Sequence, residues 1–211
     1  MKPGSIRKGI SSTTKDTQLN VHHLLEHAAQ AHKDQEVVTY RPNSVHRYTY
    51  EDMHDRAKQA ANALEDMGVQ AGDLVGIGTH STHEAIELLY ATASIGASPH
   101  FLNPESEQHS HYLVNHITKH APMDYVFLHN DMADRPGELL PNPDEYSYVT
   151  YGEEERVVVH TGEYLGDYED LLEDAEDEYE WPRIDEDTAV VMTSSGGTTG
   201  TPKAIAQSHR A

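Results

Sequence analysis

The sequence contains no cysteine, a single tryptophan and only two phenylalanines among its 211 residues. Without cysteine there is no disulfide framework, no thiolate metal ligand and no cysteine nucleophile, so the expected compartment is the cytoplasm. No run approaches the ~18 apolar residues of a membrane-spanning helix. The basic residues near the N-terminus are not followed by the apolar stretch of a secretory signal. We therefore expect a cytoplasmic protein without a membrane span, in which residues 1–18 form a disordered leader.

Positive charge is also scarce: 15 Lys and Arg oppose 36 Asp and Glu, and the formal net charge is −21. Such a surface repels phosphate backbones and anionic headgroups, which argues against nucleic acid and membrane partners. A self-repelling chain with few apolar residues is either partly disordered or folded in concentrated salt, which screens the repulsion. We favour folding in salt, because helix and strand periodicity persists through the acidic chain. The scarcity of lysine, at seven residues, resembles proteins of salt-loving microbes.

Helical and strand-like patterns alternate from Asn20 onward. Helices are predicted over 20–31, 50–67, 82–95, 104–119 and 168–177, and strands over 36–41, 46–50, 74–77, 97–102, 123–128 and 189–192. The helices are expected to begin at caps formed by Asn20, Thr49 with Asp52, and Ser81 with Glu84. Residues 130–145 are predicted to form an exposed loop, and the rest of 151–187 an acidic surface excursion. The order of strand, helix and strand predicts an α/β fold with a mainly parallel sheet flanked by helices.

The segment after the last predicted strand carries the chemistry. The apolar run 189–192 leads into TSSGGTTGTPK at 193–203. Glycines let several backbone N–H groups point into one concavity, Ser and Thr hydroxyls add donors, and Lys203 adds positive charge. The segment is not a Walker loop, because Pro202 precedes the lysine and Ala204 follows it. We expect an anion cradle rather than a flexible linker, since the ordered TTGTPK follows an apolar strand.

This segment resembles the phosphate loop of the adenylate-forming acyl-CoA synthetases, which reads close to TSGTTGxPKG. The residues that align with the core of that motif are Gly197, Thr198, Thr199, Gly200, Pro202 and Lys203. Other segments are similar to the medium- and long-chain fatty-acyl branch, among them GVQAGDLVGIG, STHEAIELLYATASIGA and YEWPRIDED. The chain departs from the family pattern at Ala204, where glycine is usual, and at Glu105, where arginine often follows Asn-Pro.

The resemblance implies that residues 19–211 form the N-terminal part of an AMP-dependent synthetase domain whose C-terminal domain is absent. Family members convert a carboxylate, ATP and CoA into acyl-CoA, AMP and pyrophosphate. ATP, Mg²⁺ and CoA are the implied cofactors, and only the ATP phosphate loop is expected in this chain. Its implied ATP-binding residues are Ser195, Gly196, Gly197, Thr198, Thr199, Gly200, Thr201 and Lys203. No catalytic residue is assigned, because the other motifs of the family lie downstream.

Three hypotheses about function follow. The first is an N-terminal fragment of a fatty acyl-CoA synthetase that acts on ATP, a fatty acid and CoA, is inactive alone and is completed by a C-terminal polypeptide. The second is a non-catalytic remnant or interaction subunit that keeps the fold. The third is an adenylation domain for another carboxylic or amino acid.

Sixteen histidines raise the possibility of a metal site. His23 and His27, like His116 and His120, are spaced by four on predicted helices, but a site needs three or four converging ligands. The acidic run 169–178 lacks the spacing of a calcium loop. We expect no metal site, and we interpret the histidines as structural or surface residues.

Overall fold

The computed structural model describes residues 17–41, 44–78, 81–102, 107–152, 155–194 and 203–211. In chain order its helices and strands are α1 His22–Ala31, β1 Glu36–Tyr40, β2 Val45–Thr49, α2 Tyr50–Asp66, β3 Leu74–Gly78, α3 His83–Ser94, β4 Ser98–Leu102, α4 Glu107–Ile117, β5 Tyr125–His129, β6 Ser147–Tyr151, β7 Glu163–Asp167, α5 Tyr168–Asp174, β8 Ala189–Ser194 and β9 Ala204–Ser208. None of the helices in these ranges has the length and apolar composition needed to cross a bilayer.

The main sheet has seven strands in the order β7-β6-β5-β3-β4-β8-β9. Its neighbouring strands are parallel except for the β8–β9 pair, which is antiparallel. The central strand β3 is buried along its whole length, as expected for a parallel strand covered on both faces. Strands β1 and β2 form a separate antiparallel hairpin, as the two predicted strands on either side of Pro42 and Asn43 indicate.

Two apolar clusters cover the two faces of the sheet. On one face, Ile77 and Phe127 pack with Leu88 of α3 and with residues of α2 and α5. On the other face, Leu128 packs with Val114 of α4. Helices therefore lie on both sides of a mainly parallel sheet, which confirms the predicted fold class.

Helix α2 has the ends that its sequence predicts. Thr49 Oγ1 accepts a hydrogen bond from Asp52 N at 3.1 Å, and Thr49 N donates to Asp52 Oδ2 at 2.8 Å. Gly68 follows the helix with φ +99°, a conformation that glycine adopts easily. The buried stripe contains Met53, Ala57, Ala60, Ala61 and Leu64.

The predicted cap of α1 is wrong. The N-cap is Val21 and has no side-chain cap, because the Asn20 amide instead donates to the Ile184 carbonyl at 3.0 Å. The sequence pattern also predicts an apolar face that contains Val21, Leu24, Leu25 and Ala28. This is wrong in part, because Leu24 is 66% exposed, whereas His22 and Leu25 are buried. A contact more than 160 residues away in sequence thus decides how this helix begins.

The predicted cap of α3 is wrong by one residue. Thr82, not Ser81, is the N-cap, and its Oγ1 accepts from Ala85 N at 3.4 Å. Glu84 closes no capping box. Its buried carboxylate instead binds the Arg41 guanidinium at 2.8 and 3.1 Å, and a buried ion pair of this kind leaves the carboxylate unavailable as a cap.

Residues 130–187 contain more regular secondary structure than the sequence predicts. Residues 130–145 contain three short 3₁₀ turns and bury Met132, Leu139 and Leu140, so they are not simply an exposed loop. The acidic region supplies the edge strand β7, which the prediction of a surface excursion missed, and α5 ends at Asp174 rather than at residue 177. The predicted start of a helix at Pro104 lies outside the described residues.

Candidate functional site

The candidate phosphate loop connects β8 and β9. These strands pair antiparallel from Ala189 opposite Ser208 to Ser194 opposite Ala204. Strand β8 also runs parallel to β4, with Met192 opposite His100. The connection therefore leaves β8 at the carboxyl edge of the parallel strands, the edge at which ligands bind in open α/β sheets.

Most predicted ATP-binding residues fall in this connection. Ser195, Gly196, Gly197, Thr198, Thr199, Gly200 and Thr201 lie outside the described residues, so their assignment stays a prediction. Lys203 is described: it is exposed and directly precedes β9. The structure thus fixes both ends of the segment.

Two side chains of β4 hold β8 in position. His100 Nδ1 lies 3.2 Å from the Met192 carbonyl oxygen, and Ser98 Oγ donates to the Ala189 carbonyl at 3.1 Å. A carbonyl oxygen only accepts, so Nδ1 of His100 carries the proton. Burial lowers the pKa of His100, which keeps the ring neutral. Between these residues stands Pro99, which has no backbone N–H to donate, so side chains supply bonds that this part of the strand lacks.

Contacts to the preceding segment close the base of the hairpin. His209 N donates to the Thr188 carbonyl at 3.1 Å, and Arg210 N donates to the Glu186 carbonyl at 2.9 Å. The Arg210 guanidinium also pairs with the Glu186 carboxylate. These contacts lie at the end of the hairpin where β8 begins and β9 ends. Residues 195–203 connect the two strands at the opposite end.

Neighbouring strands place further polar groups at the carboxyl edge. The Tyr151 hydroxyl donates to the Gly78 carbonyl at 3.3 Å, and His129 Nδ1 lies 2.7 Å from Asp131 Oδ1. Asn130 donates to the Gly152 carbonyl and accepts from Val157 N. The sequence pattern favours packing for Tyr151 and assigns no role to His129 or Asn130. Each lies at or just after the end of a strand, and that position is the sequence signal by which they can be found.

Arginines elsewhere serve structural ion pairs. Arg41 binds Glu84, and Arg56 bridges the buried Glu87 and Glu169. Arg156 binds Asp170 with two hydrogen bonds of 2.6 and 2.8 Å. These cations offset carboxylates of the fold.

The histidine pairs noticed in the sequence do not form a metal cluster in the described residues. His116 and His120 have their rings in contact at 5.6 Å, and His27 contacts His32 rather than His23. A different group, His22, His23 and Glu26, has donor atoms within 4.8 Å of one another. Its spacing of one, three and four on a helix was the signal that sequence reasoning missed.

A comparison with protein families identifies the family of this chain. The sequence model of a family described as AMP-binding enzyme matches residues 25–211.

Similar curated proteins are acyl-CoA ligases. A medium-chain-fatty-acid–CoA ligase of Ectopseudomonas oleovorans is 32% identical over 197 residues, which are 92% of this chain and 35% of that protein. A long-chain-fatty-acid–CoA ligase of Thermus thermophilus is 30% identical over 213 residues, which are 99% of this chain and 37% of that protein. The chain therefore spans about a third of the length of these relatives.

Solved structures share the fold. Acetoacetyl-CoA synthetase from Streptomyces lividans superposes with a TM-score of 0.71 at 20% identity, covering 89% of this chain and 30% of that one. An anthranilate CoA ligase in complex with anthranoyl-AMP gives 0.68 at 19% identity, covering 88% and 34%. These likenesses confirm the predicted fold, a part of the acyl-CoA synthetase fold.

Proposed function

Because this chain belongs to the AMP-binding enzyme family, we propose that it supplies the ATP phosphate cradle of an AMP-forming fatty acyl-CoA synthetase. In the proposed reaction a fatty carboxylate oxygen attacks the α-phosphorus of ATP, which gives an acyl-adenylate and releases pyrophosphate. The CoA thiolate then attacks the acyl carbon, and AMP leaves. In this proposal residues 19–211 are the N-terminal part of the synthetase domain, and 1–18 are its leader.

The observation that carries the proposal is the position of the candidate loop. Residues 195–203 connect β8 to β9 at the carboxyl edge of the parallel sheet, and their sequence combines glycines, hydroxyl side chains and Lys203. Backbone N–H groups and hydroxyls are suited to hold the β- and γ-phosphates. Lys203 stabilises the negative charge that grows on the leaving pyrophosphate, which is an electrostatic contribution to catalysis.

In this proposal Mg²⁺ binds to the protein as a complex with ATP. Bound to the phosphates of ATP, Mg²⁺ neutralises part of their charge. In the described residues, the group of clustered His and Glu donors contains two imidazoles, whereas Mg²⁺ prefers oxygen ligands in octahedral geometry. That group does not fit Mg²⁺, so we assign the ion no side-chain ligand among them.

The proposed acyl substrate is a fatty acid. The names of the relatives from Ectopseudomonas oleovorans and Thermus thermophilus support this class, since they denote medium- and long-chain fatty-acid ligases. We further propose that the protein works in the cytoplasm at high salt, a proposal supported by its net charge of −21. The assays below are therefore made in molar KCl.

Nucleotide binding by Lys203→Ala tests the cradle. A charged hydrogen bond contributes about 1.5–3 kcal/mol, so we expect ATP affinity to fall roughly 10- to 100-fold in calorimetry. Affinity for AMP, which lacks the β- and γ-phosphates, should change much less. The matched control is Lys119→Ala, which removes an exposed lysine beyond α4 and should leave both affinities unchanged. Equal losses for ATP and AMP, or no loss, would contradict the assignment of Lys203.

ATP–pyrophosphate exchange tests the reaction class. The 211-residue chain is assayed alone and together with the remaining two thirds of a homologous ligase, each with fatty acids and amino acids in parallel. Fatty-acid-dependent exchange supports the proposal, while exchange that depends on amino acids supports an amino-acid adenylation domain. Absence of exchange in every mixture, with ATP binding intact, would indicate a non-catalytic subunit.

A further inference from the structure

Three potential metal ligands lie close together at the beginning of α1. Ring nitrogens of His22 and His23 and a carboxylate oxygen of Glu26 lie within 4.8 Å of one another. His23 Nδ1 and Glu26 Oε2 are joined by a hydrogen bond of 3.2 Å. Bonds of ~2.0–2.1 Å at tetrahedral angles hold two ligand atoms about 3.3 Å apart, so this pair already has the separation that a zinc-type ion needs.

The buried member of the group lacks a partner. His22 is only 5% exposed, and its Nδ1 makes no hydrogen bond in the described part of the chain. A buried polar nitrogen without a partner is destabilising, and such groups in native proteins call for an explanation. A bound metal ion would be such an explanation, because coordination to the ion replaces the hydrogen bond that the imidazole nitrogen lacks.

The ring of His22 is also held in place beside open space. It stacks on Trp181 at 5.7 Å between centroids with 12° between the planes. His22 and His23 both line a cavity of about 220 Å³. That volume admits an ion and its water ligands. His23 and Glu26 have side chains 43% and 37% exposed, so they are able to rotate toward the fixed ring of His22.

The donor chemistry selects the class of ion. Two imidazoles and one carboxylate suit Zn²⁺ and neighbouring first-row metals better than Mg²⁺ or Ca²⁺, which prefer oxygen ligands.

We propose that His22, His23 and Glu26 bind a divalent transition metal ion of the Zn²⁺ type, with water from the adjoining cavity completing the coordination. All three ligands belong to the beginning of α1, so the ion stabilises the first turns of this helix. Contacts already join this end of α1 to the rest of the fold: Asn20 donates to the Ile184 carbonyl, and Val21 N donates to His209 Nδ1 at 3.1 Å. The proposal concerns stability and does not depend on ATP binding.

Equilibrium dialysis of the metal-free 211-residue chain against Zn²⁺, with Mg²⁺ in hundredfold excess, tests the site. One tightly bound equivalent is expected, and its affinity should fall at least about tenfold in His23→Ala and in Glu26→Gln. The matched control is His27→Ala, an exposed histidine on the same helix outside the group. Both test residues are partly exposed, so these variants are expected to fold, whereas replacing His22 would also disturb its packing against Trp181.

A second measurement separates the site from adventitious binding by surface histidines. X-ray absorption of the zinc-loaded chain should show two imidazole ligands, reduced to one in His23→Ala. Zinc should also raise the melting temperature of the wild type more than that of Glu26→Gln. An unchanged tight equivalent in both variants, or the same loss in His27→Ala, would overturn the proposal.

Discussion

Arg56 and Glu87 form an ion pair in which the carboxylate is completely buried. Arg56 Nε donates to Glu87 Oε1 at 2.9 Å, and the Tyr168 hydroxyl donates to Glu87 Oε2 at 3.0 Å. The other nitrogens of Arg56 bind Glu169 at 2.7 and 2.9 Å. The pair therefore joins α2, α3 and α5 on one face of the sheet. Because breaking a buried pair leaves a charge without compensation, this contact is expected to be sensitive to pH and to substitution.

Glu87→Gln should change how stability depends on pH. Burial raises the pKa of Glu87 from 4.5 to about 7, so the folded state holds this proton more tightly than the unfolded state. The contribution of Glu87 to the free energy of unfolding therefore falls as the pH rises from about 4.5 to about 7, and is constant above that. Between pH 5 and pH 8, urea unfolding should shift in favour of the variant by roughly 2–3 kcal/mol relative to wild type. Parallel pH profiles would mean that Arg56 keeps Glu87 ionised throughout.

Gly162→Ala should destabilise the protein more than Gly72→Ala. Both glycines have positive φ, +63° and +96°, so both substitutions carry a backbone cost of roughly 1–2 kcal/mol. A Cβ at Gly162 would lie 2.2 Å from the Tyr146 carbonyl oxygen, whereas at Gly72 it would meet nothing within 4 Å. We expect urea unfolding to show a further loss of about 1–3 kcal/mol for Gly162→Ala. Equal losses of unfolding free energy in the two variants would contradict this prediction, because they would mean that the turn before β7 accommodates the methyl group without a further loss of stability.

Thr82→Ala should weaken the beginning of α3, and Ser81→Ala should not. Thr82 Oγ1 accepts from Ala85 N, and the loss of such a cap costs about 1 kcal/mol. Ser81 is exposed, so its substitution should stay within about 0.5 kcal/mol of wild type. Urea unfolding of the two variants and of Thr82→Ser measures the difference. The opposite ranking would restore the capping box predicted from the sequence.

The sequence predicts elements whose signals are local. The hairpin β1–β2, the capping box of α2 and the central strands follow from periodicity and turn residues that lie within a few positions of each other. The predicted caps of α1 and α3 are wrong because their side chains bind partners that are distant in sequence. Asn20 binds Ile184, and Glu84 binds Arg41. Strand β7 was missed because EYLGD has little apolar alternation and depends on pairing with β6.

The candidate site divides in the same way. The sequence predicts the strand before the loop, and β8 confirms it, whereas β9 after the loop was not predicted as a strand. The support from Ser98 and His100 was not predicted, because both residues contact β8 across more than 90 positions of sequence. Local sequence patterns thus predict where the loop lies along the chain. The residues that support it become visible only from the tertiary contacts in the structure.

His100→Phe should loosen the β8–β9 hairpin specifically. The ring of phenylalanine fills the buried space but donates no hydrogen bond, so the Met192 carbonyl oxygen loses its partner, at a cost of about 1–3 kcal/mol. Hydrogen exchange should accelerate at the amides of Ile205 and Ala206, which pair with Thr193 and Met192.

The matched control for this variant is Leu172→Ala, which removes a buried side chain of α5 and costs about 2–4 kcal/mol. This change lowers global stability without touching the hairpin, so β9 exchange should accelerate only as much as exchange in β3 and β5. If His100→Phe gave the same uniform acceleration, β4 would not be the support of the loop. If instead hydrogen exchange accelerates preferentially in β9, ATP affinity should also fall, because this strand anchors the loop that ends at Lys203.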